Sequence, residues 1–190
     1  MTLLVLGLLL FLGAHSVSIV APAWRDGMVA RLGEKPWKGL YSLVALAGFV
    51  LLVLGHAAAR ASPVVLWVPP AAMRHLALLL MLPVFPLLFA TYLPGRISRA
   101  AKHPMLVATK AWALAHLLAN GMLADVVLFG GLLAWAVADR ISLKRRPARP
   151  LPGAPPSNAN DWIAVGLGLA LYVGFVAALH ERLFGVSPLP

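Results

Sequence analysis

The chain has 190 residues, of which 61% are hydrophobic and only 12% are charged, and its mean hydropathy is +0.87. A water-soluble domain of this length would expose too much apolar surface, so the composition indicates a membrane protein. The formal net charge of +10 does not indicate nucleic-acid binding, because the basic residues fall between hydrophobic runs instead of forming a stripe interleaved with aromatic residues. The sequence contains no cysteine, which excludes disulfides and thiolate metal sites and leaves histidine as the strong nitrogen ligand.

Six hydrophobic runs approach the length of about 20 apolar residues that a membrane-spanning helix needs. They predict an all-α membrane protein, built as a bundle of about six transmembrane helices within a single domain over residues 1–190. The predicted helices cover about residues 2–23, 39–59, 71–93, 104–121, 122–139 and 162–180. The first run has no basic residue before it, so a cleaved signal peptide fits it poorly, although the small residues Ala21-Pro22-Ala23 keep that alternative open.

Several local features are predicted between and within these helices. The charged stretch Trp24–Lys38 is predicted as a short amphipathic loop. Pro83 and Pro86 predict a kink or local unwinding inside the third helix, because proline cannot donate a helical hydrogen bond. Gly166 and Gly168 predict close packing of the sixth helix against a neighbour.

The distribution of basic residues predicts the orientation in the membrane. Of the 16 Lys and Arg residues, twelve fall in the segments after the first, third and fifth helices, and three lie on the opposite side. Positively charged loops stay in the cytoplasm, so both termini are predicted to lie outside the cytoplasm. Asp125 and Asp139, near the outer and inner ends of the fifth helix, are predicted at the membrane interfaces.

The predicted fourth helix carries polar residues inside the membrane, where each is energetically expensive and therefore a functional hypothesis. Trp112, His116 and Asn120 follow at intervals of four, so they stack on one face of the helix. Ala108 and Ala113 flank this face and are expected to leave room for a flat ligand.

His15 and His116 are the two histidines predicted to reach the middle third of the bilayer, on helices one and four. Two neutral imidazoles on facing helices are a common way of holding haem b through axial iron–nitrogen bonds. The alternative is that each ring bonds a neighbouring carbonyl or hydroxyl and only stabilises helix packing. Asn120 either orients a nearby imidazole or forms the turn that precedes Gly121.

Five other residues are candidates for a site, each beside a simpler structural interpretation. Lys110 either reaches the inner interface with its long side chain or pairs with Asp139, or it contacts a substrate or a haem propionate. Arg96 and Arg99 are candidate propionate partners but also fit as charges that orient the protein. His103 marks the entrance of the fourth helix, and His56 lies at the outer end of the second.

Four motifs resemble the NnrU family, and the likeness extends over nearly the whole chain. The motifs are Phe-Leu-Gly-Ala-His15-Ser, Gly95-Arg-Ile-Ser-Arg-Ala-Ala-Lys-His103-Pro-Met, Trp112-Ala-Leu-Ala-His116-Leu-Leu-Ala-Asn-Gly and Ala134-Trp-Ala-Val-Ala-Asp-Arg-Ile-Ser-Leu-Lys-Arg-Arg146. The resemblance implies a multi-pass protein of the bacterial inner membrane that is linked to denitrification and supports nitrite and nitric oxide reduction.

The family is also similar to the plant zeta-carotene isomerase, a membrane enzyme that uses haem b. This similarity implies that His15 and His116 are the axial ligands of haem iron, with Trp112 and Asn120 beside them. The sequence departs from the isomerase at Ala113, where the enzyme has cysteine, and at Lys110, where the enzyme is uncharged. These departures put carotene isomerisation in doubt.

Three functional hypotheses therefore stand, and the sequence identifies no catalytic residue. The first is a haem-binding membrane protein that supports denitrification, with denitrification proteins as partners. The second is a haem-dependent cis-trans isomerase of a polyene or another lipophilic substrate. The third is a transporter or assembly factor without a cofactor. The expected surroundings are the lipid bilayer and a small lipophilic or nitrogen-oxide ligand, and no nucleic acid.

Overall fold

A computed structural model describes residues 1–147, 149 and 151–189. Among these residues every regular element is helical, apart from an isolated β-bridge between Val65 and Met122, which confirms the all-α class. The helices are α1 (Thr2–Val20), α2 (Pro22–Leu32), α3 (Glu34–Ala61), α4 (Ala71–Met81), α5 (Val84–Tyr92), α6 (Arg96–Ala101), α7 (Pro104–Ala119), α8 (Leu123–Ser142), α9 (Ala159–Gly174) and α10 (His180–Phe184). A π-helical turn, Phe175–Leu179, joins α9 to α10.

Four helical segments within the described chain are long and apolar enough to cross a membrane. They are Thr2–Val20, Glu34–Ala61, Ala71–Tyr92 and Ala159–Phe184, and Pro104–Ala119 is a shorter apolar helix. Helix α8 has 20 residues but includes three charged side chains. By their length and composition the four segments indicate a membrane protein, and the six crossings remain a prediction.

The chain packs as two compact units. The first unit comprises Met1–Leu66 and Met122–Arg145, and the second comprises Trp67–Gly121 and Arg146–Pro190. The first unit therefore contains α1, α2, α3 and α8, and the second contains α4 to α7, α9 and α10. The single domain over residues 1–190 stays a prediction. His15 belongs to the first unit and His116 to the second.

Glycines let α1 and α3 of the first unit approach each other at backbone distance. A Cβ atom at Gly7 would lie 2.5 Å from the backbone nitrogen of Leu52, and one at Gly48 would lie 2.6 Å from that of Phe11. Gly55 is in backbone contact with α1 in the same way. Close approach of this kind increases the dispersion contacts that hold membrane helices together, since lipid gives no hydrophobic driving force between them.

In the second unit, the proline and glycine predictions have mixed outcomes. Helix α4 ends at Met81 and α5 begins at Val84, so the predicted interruption at Pro83 is confirmed. Gly168 is in contact with the backbone of Pro86, and a Cβ atom there would overlap it, which confirms the predicted close packing. The same prediction is wrong for Gly166, because among the described residues no atom of a neighbouring element lies within 4 Å of its Cβ position.

The loop predicted over Trp24–Lys38 is wrong, because helix α2 occupies its first half and α3 already begins at Glu34. Pro22 stands in the first turn of α2, where its missing N–H is not needed. Gly33 ends the helix with φ of 87°, a left-handed conformation that favours glycine. The connection between the predicted third and fourth helices also contains a helix, α6.

Candidate functional site

His15 lies on α1 with its ring held by the preceding turn. Its Nδ1 is 2.7 Å from the carbonyl oxygen of Phe11. A carbonyl oxygen only accepts hydrogen bonds, so Nδ1 carries the proton and donates it. In the neutral imidazole, Nε2 then carries the lone pair, which is the atom that a metal would bind.

Aromatic rings from three helices surround His15. The ring centroid of His15 is 4.3 Å from that of Phe11, 5.3 Å from that of Tyr41 on α3 and 5.7 Å from that of Trp135 on α8. None of the described residues accepts a hydrogen bond from the buried indole Nε1–H of Trp135. Leaving a buried donor unsatisfied costs about 1–3 kcal/mol. The aromatic setting and this donor make the surroundings of His15 a candidate binding site.

His56 is engaged in a buried pair that the sequence did not predict. Its Nε2 lies 2.8 Å from Oδ1 of Asp125, and its ring meets that of Phe129 edge-on. The side chain of Asp125 is only 3% exposed, so it lies inside the first unit, and its predicted depth at the membrane interface stays a prediction. A buried carboxylate is tolerated when it is paired and hydrogen-bonded, and here it also accepts a hydrogen bond from the backbone N–H of Met122 at 3.4 Å. Asp139 is also buried.

His116 lies on α7, and its ring is held by the same kind of hydrogen bond as the ring of His15. Its Nδ1 donates to the carbonyl oxygen of Trp112 at 2.9 Å, and the two rings lie with centroids 5.1 Å apart. The side-chain nitrogen of Asn120 donates to the backbone oxygen of His116 at 2.8 Å, so Asn120 closes the end of α7 and does not orient an imidazole through this bond. Ala108 and Ala113 are completely buried, which shows small side chains used for helix packing.

A cavity of about 140 Å³ in the second unit opens beside His116. Its wall is mainly apolar and includes Met81 and Phe175, and polar groups of Arg74, Asn120 and His180 also line it. The π-helical turn forms part of this wall, and such turns are frequent at functional sites. The volume is below the several hundred Å³ typical of pockets for drug-sized ligands, so the cavity suits an ion or a very small molecule.

The remaining predicted residues lie around the helix ends of the second unit. His103 precedes α7 as its first flanking residue. Lys110 is half-buried on α7 and is not among the described residues that line the cavity. Arg96 and Arg99 are exposed on α6. The start of α6 is held by Asp161, whose carboxylate accepts hydrogen bonds from the backbone N–H groups of residues 96 and 97 at 2.9 and 3.0 Å.

Sequence reasoning missed four residues that the structure places in these sites. Tyr41 and Trp135 both contact the ring of His15, and no spacing in the sequence pairs them with it. Tyr172 donates from its hydroxyl to the carbonyl oxygen of Leu78 and lines the cavity. His180 lines the cavity directly after the π-helical turn, and that turn leaves no recognisable pattern in the sequence.

The described residues contain no group of three or more His, Cys, Asp or Glu side chains that could hold a metal ion. A family model described as NnrU protein matches residues 3–188 of the chain. No curated protein matches the chain, and no solved structure does.

Proposed function

Because the chain belongs to the NnrU family, we propose that it is a multi-pass protein of the bacterial inner membrane that binds haem b and supports nitrite and nitric oxide reduction. The proposed axial ligands are His15 and His116. The proposal includes six membrane crossings, with both termini outside the cytoplasm, and denitrification proteins as partners.

The anchorage of the two rings is the observation that supports haem binding. In each, Nδ1 donates to the carbonyl oxygen four residues earlier, at 2.7 Å for His15 and 2.9 Å for His116. This bond selects the tautomer with a lone pair on Nε2 and makes that nitrogen a better iron ligand. The donor chemistry therefore fits haem iron. His56 fits less well because its Nε2 is engaged with Asp125.

When bound, haem would supply one-electron iron chemistry. The chain's own contribution is to hold both imidazoles in one tautomer and to shield them from water. The aromatic rings of Phe11, Tyr41 and Trp135 do this around His15. The buried indole N–H of Trp135 remains available as a donor to a bound group.

Absorption spectroscopy of the protein, purified in mild detergent from haem-replete cells, tests the proposal. We expect sharp bands of bis-histidine haem in the oxidised and reduced states. His15→Ala and His116→Ala should each remove these bands, because each variant deletes one axial nitrogen. His75→Ala is the matched control: His75 also donates from Nδ1 to the carbonyl four residues earlier, but it is exposed. A colourless wild-type protein, or unchanged bands in both ligand variants, would contradict the proposal.

Single-cysteine labelling tests the six crossings. The chain has no cysteine of its own, so an introduced cysteine is the one thiol that can react. We expect Met122→Cys to react with a membrane-impermeant maleimide from outside the cell, because with six crossings the connection between α7 and α8 faces outward. Val68→Cys serves as the outward control and Leu151→Cys as the cytoplasmic control, since both positions are exposed. If Met122→Cys reacts only from the cytoplasmic side, as Leu151→Cys should, four crossings replace six.

A further inference from the structure

A cleft of about 330 Å³ lies in the second unit, where helix α6 meets the start of α9. Its walls come from α6, from α9 and from the segment that leads into α9. The described residues that line it are Arg96, Ile97, Asn158, Asp161, Trp162 and Val165. Sites for small molecules have volumes of about 300–1,000 Å³, so the cleft is large enough for a charged head group.

Hydrogen bonds fix the backbone around this cleft. The backbone N–H groups of residues 96 and 97 donate to the carboxylate of Asp161 at 2.9 and 3.0 Å, which holds the start of α6 against α9. The buried side-chain nitrogen of Asn160 donates to the carbonyl oxygens of Pro94 and Pro155 at 2.9 and 3.0 Å. The cleft is therefore preformed, so binding does not require the chain around it to become ordered.

The surroundings of the cleft carry an excess of positive charge. Arg96, Arg99 and Lys102 are exposed on α6 or directly after it, and within the described chain none of them forms an ion pair. Asp161 carries the one carboxylate among the described lining residues, and each of its two oxygens accepts a backbone hydrogen bond. The other acidic residue of the second unit, Glu181, lies about 30 Å further along the helix at 1.5 Å per residue.

An exposed indole ring stands beside these cations. Trp162 is 81% exposed in the first turn of α9, and it begins the apolar segment Ala159–Phe184 that is long enough to cross a membrane. Tryptophan combines an apolar body with a polar N–H, and it is enriched at the level of lipid head groups. Ile97 and Val165 add apolar surface to the cleft. A ligand that matches all of these groups has an anionic head beside an apolar chain.

We propose that this cleft binds the phosphate group of an anionic phospholipid. Arg96 lines the cleft, and a guanidinium group matches phosphate oxygens with two parallel hydrogen bonds. Arg99 and Lys102 add electrostatic attraction at the membrane surface. A soluble phosphate ester has no apolar chain to lie against Trp162, which favours the lipid. The site goes beyond the proposed haem function and does not depend on it, and it gives Arg96 and Arg99 a lipid instead of a haem propionate as their partner.

Native mass spectrometry of the full-length protein, released from mild detergent, tests the inference. The probes are phosphatidylglycerol and phosphatidylcholine with identical dioleoyl chains, so they differ in the net charge of the head group. We expect one phosphatidylglycerol to bind more tightly than phosphatidylcholine. Each basic residue near an anionic lipid surface contributes a factor of about 5 in affinity. The double variant Arg96→Gln/Arg99→Gln should therefore bind phosphatidylglycerol about 25-fold more weakly.

Two further variants separate this site from general attraction to lipids. Arg31→Gln/Lys35→Gln is the matched control, because it removes two exposed charges from the first unit, and it should leave the tight phosphatidylglycerol unchanged. Trp162→Ala keeps every charge and should weaken the binding of both lipids, since the indole contacts the part that they share.

Three results would overturn the inference. The first is equal affinity of the wild-type protein for the two lipids. The second is an equal loss in the control and in Arg96→Gln/Arg99→Gln, which would show attraction by net charge alone. The third is release of the bound lipid by an equal concentration of inorganic phosphate, which would show a site for the free anion. The haem bands of Arg96→Gln/Arg99→Gln should stay unchanged, so the lipid site and the haem proposal fail separately.

Discussion

His56→Leu should lower the free energy of unfolding by about 3–5 kcal/mol, because it leaves the carboxylate of Asp125 buried without its hydrogen-bonded partner. The two groups lie 2.8 Å apart, and their side chains are 21% and 3% exposed. The carboxylate is thus the deeper member of the pair and has no route to water when the imidazole is removed. The low dielectric around it makes an uncompensated charge expensive.

Asp125→Asn should cost less than His56→Leu, because the amide leaves no buried carboxylate and stays within hydrogen-bonding distance of the His56 ring. The double variant with both changes should be more stable than His56→Leu alone, since no buried charge remains. The thermal unfolding midpoint in a single detergent measures all three. Equal losses for the two single variants, or additive losses in the double variant, would show that the pair does not stabilise the fold by charge compensation.

The partnership of these two residues could not be predicted from the sequence. Counting residues from the helix ends places His56 and Asp125 near the same side of the membrane. They are 69 positions apart in the sequence. Their contact depends on which helices are neighbours, and the sequence pattern of a single helix does not determine this. For the same reason the contacts of Tyr41 on α3 and Trp135 on α8 with the ring of His15 could not be predicted.

Signals of local backbone chemistry were more informative than hydrophobicity alone. Pro83 ends α4 as predicted, because proline lacks the N–H that continues a helix. The same chemistry marks both ends of α2, with Pro22 in its first turn and Gly33 after its last residue. The charged residues between Pro22 and Gly33 nevertheless led to the prediction of a loop there. The Nδ1 bonds of His15, His75 and His116 are also local, since each reaches the carbonyl oxygen four residues earlier on its own helix.

Gly55→Ala should lower the free energy of unfolding by about 1–3 kcal/mol, although alanine is the better helix former. Gly55 packs against the backbone of Leu3 and Leu4 on α1, so an added methyl group meets main-chain atoms and no flexible side chain can move aside. The helices must separate, and the contacts around the completely buried Leu4 are lost with them.

Gly39→Ala is the matched control on the same helix, because no atom of a neighbouring element lies within 4 Å of its Cβ position. There the substitution should be neutral or stabilise by about 0.5–1 kcal/mol, through the lower backbone entropy of alanine. Unfolding in detergent with added denaturant compares the two variants. A loss for Gly55→Ala with none for Gly39→Ala identifies helix contact as the cause. If both variants gain stability, α1 and α3 do not meet at backbone distance, and the glycines of α3 have no packing role.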